Sequence, residues 1–307
     1  MIEHNPVLLK ESVDALLIDS DGFYVDGTFG RGGHSSAILN RLSKEGSLVA
    51  LDKDFEAVSL GRVQFRRELR ITLIHASFGR LSAALEKLGS RTASGILLDL
   101  GLSSPQLETP SRGFSFMRDG PLDMRLDQTN GESAKDWLNN ASENDITSVL
   151  SQFGEERFAK RIAKAIVCGR ACSPIEGTLR LAKIVSDAHP AWTRGQHPAT
   201  KTFQAIRIFI NKELDELDVF LRGVIDLLKI GGRLVIISFH SLEDRRVKRF
   251  IRDQQRGLTT PKYLPIKDVD KKVRLVGIGS VVKPTREEIA YNSRARSAVM
   301  RVAERVA

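Results

Sequence analysis

The chain has 307 residues, 41% of them hydrophobic and 28% charged, with a formal net charge of +9, which suits one large or two ordinary folded domains and excludes an intrinsically disordered chain. The first twenty residues carry Glu3, Glu11, Asp14 and Asp19 and no uninterrupted apolar run, so neither a secretory signal nor a transit peptide is expected. No stretch approaches the ~20 apolar residues of a membrane span, and a cytoplasmic protein without a membrane partner is expected.

The pattern predicts strands over 23–26, 47–52, 71–74 and 95–100, each a short, continuous apolar run, separated by helical stretches. That is the rhythm of a parallel sheet covered on both faces. After Gln106 the rhythm stops: residues 107–203 offer no convincing strand but show helical patterns over 133–140, 143–153, 155–169 and 178–188. The two cysteines, Cys168 and Cys172, fall among them as packing thiols, with no second pair to complete a metal site. One long amphipathic stretch over 202–228 and a helix stop at Gly231-Gly232 lead into a strand over 232–238. A charged helix over 242–255, a polar basic loop and a closing pair of strands near 273–276 and 297–302 complete the chain. The expected fold class is therefore α/β, a Rossmann-like sheet built from residues 1–106 and 204–307 and interrupted by a helical insertion over 107–203.

Charge is unevenly placed. Residues 1–240 carry 30 Lys and Arg against 30 Asp and Glu, and residues 241–307 carry 17 against 8, the whole of the +9. Arg245, Arg246, Lys248 and Arg249 are candidates for attracting a polyanion, since phosphate neutralisation supplies sequence-independent nucleic-acid affinity; a solvated basic surface is the competing reading.

The first predicted strand runs into Asp26-Gly27-Thr28-Phe29-Gly30-Arg31-Gly32-Gly33-His34. Glycines at a strand-to-helix turn leave no Cβ in the way of a ligand pressed on backbone amides. Such a turn also serves dinucleotide enzymes, but their third glycine is missing, Ser35 standing in its place. Acidic residues end three strands, Asp26, Asp52 and Asp99, and strand ends of an open α/β sheet converge on one crevice. Asp52 is placed to accept both ribose hydroxyls of a nucleoside. Asp26 and Asp99 would favour a cationic group and repel a pyrophosphate, unless they merely cap the following turns. Phe78, after the third strand, is a candidate cover for an adenine face, or ordinary core.

Together with Asp26 to His34, the segments Leu98-Asp99-Leu100-Gly101-Leu102-Ser103-Ser104-Pro105-Gln106, Arg112-Gly113-Phe114-Ser115-Phe116, Asp119-Gly120-Pro121-Leu122-Asp123-Met124-Arg125, Thr202-Phe203-Gln204-Ala205-Ile206-Arg207, Ser238-Phe239-His240-Ser241-Leu242-Glu243-Asp244-Arg245 and Arg294-Ala295-Arg296-Ser297-Ala298 resemble the MraW (RsmH) family of ribosomal RNA cytosine-N4 methyltransferases, in the same order and over nearly the whole chain. Lys201, where that family usually shows Arg, is a small departure. The resemblance implies S-adenosylmethionine as cofactor, with contacts at Gly32, Gly33, His34, Asp52, Phe78, Asp99 and Gln106. It also implies N4-methylation of a cytidine in 16S ribosomal RNA within the small ribosomal subunit, with the insertion recognising substrate.

Amino-methyltransferases place a loop after the fourth strand to hold the acceptor amine. Here Ser103-Ser104-Pro105-Gln106 lacks that loop's second proline and aromatic, so Ser103 is a candidate amine acceptor with a plain turn as its alternative. His240, after the fifth strand, is a candidate for hydrogen-bonding the target base or its phosphate, or a structural histidine. Trp137 and Phe116 are candidates to stack on an extruded cytosine, with buried core as the competing reading. No metal or covalent nucleophile is expected. Two other functions compete: a nucleotide-dependent oxidoreductase, and a non-catalytic ribosome assembly factor. The insertion's competing role is fold stabilisation or formation of a homodimer.

Overall fold

The computed structural model describes residues 6–89, 92–191, 195, 197–257 and 273–307; the basic loop expected after the 242–255 helix lies outside them. The chain divides into two compact units, residues 1–101 with 214–307, and residues 102–213. The second unit is wider on both sides than the 107–203 insertion, so Ser103 and Gln106 belong to it.

The first unit contains α1 (Leu9–Leu16), β1 (Phe23–Asp26), α2 (Gly33–Leu39), β2 (Ser47–Asp52), α3 (Phe55–Gln64), β3 (Ile71–His75), α4 (Leu81–Glu86) and β4 (Ala93–Asp99). The second holds α5 (Ser104–Glu108), α6 (Ala134–Asn140), α7 (Glu143–Gly154), α8 (Ala159–Cys172), α9 (Thr178–Ala188) and α10 (Ala199–Asn211). The chain then returns through α11 (Glu213–Leu227), β5 (Leu228–Ser238), α12 (Ser241–Arg256), β6 (Leu275–Gly277), α13 (Arg286–Tyr291) and β7 (Val299–Arg305). Among the described residues, no helix is long and apolar enough to cross a membrane.

The strands form one sheet in the order β3-β2-β1-β4-β5-β7-β6. Neighbours are parallel from β3 to β5, and β7 runs antiparallel to both β5 and β6. Side chains alternate across a strand, and here both faces are apolar. Val49, Leu51, Ile96, Leu98, Leu234 and Ile236 pack with Leu217, Phe220, Leu221 and Val224 of α11 on one face. Leu48, Leu97, Val235 and Ile237 pack with Val13, Leu16 and Ile38 of α1 and α2 on the other. Burial on both faces is why these strands read as unbroken apolar runs.

Two local expectations are corrected. The stretch over 202–228 is two helices rather than one, because Lys212 takes a left-handed φ of 54° and its N–H caps the end of α10 by bonding the Ile208 and Phe209 carbonyls. Gly231-Gly232 is not the helix stop. α11 ends at Leu227, and Gly231, at φ 79°, lies inside β5. There the register jumps from Ala93↔Leu228 to Gly95↔Arg233, so the glycines accommodate extra residues in β5.

The second unit has its own core, in which Leu138, Ile146, Leu150, Ile162, Ile166, Leu181 and Ile206 bury against one another. α7 and α10 approach closely at Gly154, where a Cβ would stand 2.9 Å from the Lys201 carbonyl oxygen.

Candidate active site

The carboxylates of the first unit sit where three adjacent parallel strands end. Asp26 closes β1 and is fully buried. Its Oδ2 accepts from Ser35 Oγ at 2.6 Å and its Oδ1 from the Thr28 N–H at 3.1 Å. Asp52 closes β2, with Oδ2 accepting from the Gly30 N–H at 2.7 Å and Oδ1 from the Asp54 N–H at 2.8 Å. Asp99 closes β4, and its N–H donates to Thr28 Oγ1 at 2.7 Å. Thr28 thus ties the end of β4 to the turn after β1.

Burial raises the Asp26 pKa to about 6 against the opposing Ser35 and Thr28 hydrogen bonds. Burial likewise raises Asp52 to about 6, with Asp54 and Asp26 adding repulsion. Asp99 is raised well above the carboxylate range, first by burial and then by Asp26 and Glu243. Its Oδ1 is a buried acceptor with no donor among the described residues. His34 is 5% exposed, its Nδ1 lies 3.7 Å from Asp99 Oδ2, and burial lowers its pKa to about 4. The ring is neutral at physiological pH and does not neutralise Asp99. Such a cluster of like charges without a cation stabilises a cationic ligand.

The glycine turn shapes the rim. Gly30 and Gly32 hold φ of 55° and 74°, and a Cβ on Gly32 would stand 2.8 Å from the Phe29 ring and 2.9 Å from the Phe65 ring. Only glycine fits there. Gly33 begins α2, where a Cβ would strike Pro6 at 2.2 Å. Phe78 lies in a 3-10 turn, Phe78–Arg80, half-buried and edge-on to Phe220 at 5.9 Å. The turn is held by Glu216 of α11, whose Oε2 accepts from Ser77 Oγ at 2.6 Å while its Oε1 accepts from Lys53 Nζ at 2.7 Å. Lys53 follows Asp52 directly. Glu216 therefore joins the loops after β2 and β3, a role no local pattern announces.

His240 is the residue before α12, and its ring is largely buried. Nε2 lies 3.1 Å from Glu243 Oε1, and the two residues form a reciprocal capping box in which the His240 side chain accepts from the Glu243 N–H. Glu243, 2% exposed, accepts from the Phe239 N–H at 2.8 Å and the His240 N–H at 3.3 Å, so it caps α12 and sets His240 in place. The signal was present in His240-Ser241-Leu242-Glu243, an acidic residue three positions into a helix.

In the second unit Ser103 precedes α5 and forms a capping box with Gln106, whose Oε1 accepts from the Ser103 N–H at 2.9 Å. Gln106 is buried. Trp137 is 7% exposed and packs on Phe209 at 4.7 Å between ring centroids. Phe116 packs against His197 at 4.6 Å and Phe203 at 4.8 Å. Trp137 belongs to that unit's buried core and half-buried Phe116 packs against it, which favours the competing reading over base stacking for Trp137.

A mixed sheet in this strand order, with a buried acid at the end of β1 and half-buried acids at the ends of β2 and β4 beside a glycine turn, defines a Rossmann-like methyltransferase of the S-adenosylmethionine-dependent class. More particularly, the chain belongs to the MraW methylase family, whose family model matches residues 1–306. It is 56% identical over 305 residues to "Ribosomal RNA small subunit methyltransferase H" of Chromohalobacter salexigens, covering 99% of this chain and 92% of the relative. Proteins of the same name from Nitrosospira multiformis and Nitrosococcus oceani are 52% and 51% identical, over 99% and 98% of this chain and 98% and 96% of theirs.

Proposed function

We propose that this chain transfers the methyl group of S-adenosylmethionine to N4 of a cytidine in the 16S RNA of the small ribosomal subunit. The observation that carries the reading is the trio Asp26, Asp52 and Asp99 at neighbouring strand ends, with Asp99 Oδ1 left without a donor among the described residues. A pyrophosphate would be repelled there, which disfavours the oxidoreductase reading, whereas an ammonium and a sulfonium are attracted. The names of the relatives supply the RNA.

The residues fit the cofactor. Asp52 has lone pairs beyond its two backbone contacts for the ribose hydroxyls, Gly32 and Gly33 offer backbone amides at the start of α2, Phe78 covers the adenine, and His34 and Asp99 face the methionyl end. Gln106 as a cofactor contact and Ser103 as the amine acceptor rest on resemblance and place in the sequence. When bound, S-adenosylmethionine supplies an electrophilic methyl group on sulfur.

The cytosine amine is a poor nucleophile because its lone pair is delocalised into the ring, so the residues that position it carry much of the rate. An acceptor that bonds the amine as it pyramidalises favours the transition state over the ground state. His240, which follows β5 and is set at the start of α12 by Glu243, is assigned to the base or its phosphate, with its capping contact as the structural alternative. The proton leaves afterwards without a strong base. The helical unit serves substrate recognition, with homodimer formation as its rival role, and a cytoplasmic setting goes with the substrate.

Mass mapping of small-subunit RNA from cells with and without this protein tests the proposal. One methylcytidine missing without the protein is expected. An unchanged modification map overturns it, and restoration by a variant that cannot bind the cofactor would instead mark a non-catalytic assembly factor.

A further inference from the structure

A groove of about 480 Å³ lies between α12 and the β6–β7 edge of the sheet, and none of its lining residues belongs to the carboxylate cluster. Lys248, Arg252 and Arg256 form one wall. They are four residues apart, hence one stripe along the helix, and at a rise of 1.5 Å per residue the stripe runs about 12 Å. All three are exposed. Among the described residues Arg252 pairs only locally, with exposed Asp253 at 2.9 Å. Lys248 and Arg256 have no carboxylate within ion-pair reach among the described residues. Arg301 on β7, facing them, is held by Asp244 at 2.7 Å. Ile251 and Val281 add apolar side chains to its lining, and Gly277 leaves room beside them, since a Cβ there would press on Ile251 at 3.3 Å.

The structure also sorts the basic residues of α12. Arg246 is turned to Asp218 of α11, 3.2 Å away, so it is not part of this wall. What remains is a row of like charges that repel one another, with the apolar side chains of Ile251 and Val281 in the same groove. A strand with regularly spaced phosphates and flat bases satisfies both features.

Resting on the reading that the substrate is RNA, we propose that this groove binds a single-stranded segment of the small-subunit RNA outside the methyl-transfer site. Lys248, Arg252 and Arg256 take its phosphates, and a base lies on Ile251 and Val281. The groove acts as a holdfast, raising the residence of the RNA without touching the reacting atoms.

The test uses the full chain and two double variants, Lys248→Glu with Arg256→Glu, and the milder Lys248→Gln with Arg256→Gln. The probe is a fluorescein-labelled twelve-nucleotide single-stranded RNA, titrated by anisotropy across a range of potassium chloride. The glutamate variant is expected to bind at least about tenfold more weakly, and the glutamine variant to lose about 1.4 from the logarithmic salt slope, ~0.7 for each phosphate contact. Both should bind S-adenosylmethionine as the wild type does, and both should raise KM for unmethylated small subunits while leaving kcat in place. Unchanged oligonucleotide affinity and salt slope overturn the proposal. So does a raised KM with unchanged oligonucleotide affinity, which would assign the groove to a ribosomal protein. Wild-type protein that binds the oligonucleotide through these residues but methylates no subunit sinks the proposed function and leaves the groove standing.

Discussion

The carboxylate of Asp52, at the end of β2, accepts a hydrogen bond from the backbone N–H of Gly30 at 2.7 Å, so the ribose-binding candidate and the glycine turn hold each other. Asp52→Ala removes two charge-assisted ribose contacts of ~1.5–3 kcal/mol each and releases Gly30 as well. The expected result is a dissociation constant for S-adenosylmethionine at least about 100-fold higher, at 1.4 kcal/mol per tenfold. Calorimetric titration of the folded variant measures it, and an unchanged constant removes Asp52 from the site.

The raised carboxyl groups predict opposite pH trends for stability and for binding. Asp26 and Asp52, near 6 when folded and 3.8 otherwise, hold protons more tightly in the folded protein. Their contribution to stability therefore grows as pH falls through 6 and is fully present below 3.8. A cationic ligand needs them ionised, so its affinity should fall as pH drops from 7.5 to 5, with proton release on binding near pH 6. Calorimetry at pH 6 in two buffers of different ionisation enthalpy reads the protons. Uptake instead of release contradicts the assignment.

Glu243→Ala leaves the Phe239 and His240 amides without their buried acceptor, a loss of about 1–3 kcal/mol for each group left unsatisfied. A lower urea midpoint by circular dichroism is expected, and Glu243→Gln, which keeps one acceptor oxygen, should recover part of it. A midpoint equal to wild type in Glu243→Ala would show that this cap contributes nothing to the fold.

Trp137 separates core from base stacking. Removing a buried aromatic costs ~3–5 kcal/mol, so Trp137→Ala should destabilise the helical unit in urea titrations. Trp137→Phe should retain both the fold and turnover on small subunits. Full stability in Trp137→Ala together with lost methylation would restore the stacking role.

Much of the first unit was readable from local sequence. β1 and β2 were delimited because a strand buried on both faces is an unbroken apolar run, and Asp26, Asp52 and Asp99 stood out because each ends such a run beside a turn. Ordered blocks from Asp26 to Ala298 were enough to suggest the family. What needed the tertiary structure were facts that depend on residues far apart in the chain. The break at Lys212 and the placement of Gly231 inside β5 are decided by what α10, α11 and β4 pack against, and an amphipathic pattern carries no mark of that. Ser103 and Gln106, placed with the sheet domain by the 1–106 boundary, fall in the unit of residues 102–213, whose core takes in their neighbours Leu102 and Leu107. Glu216 earns its place only because α11 returns, 139 residues after Ser77, to the loop that holds Phe78. The charges of α12 looked equivalent as a list, and Asp218 and the β6–β7 edge divided them. Periodicity records which face of an element is buried; partners across the fold, which set capping, charge pairing and side-chain exposure, are written only in three dimensions.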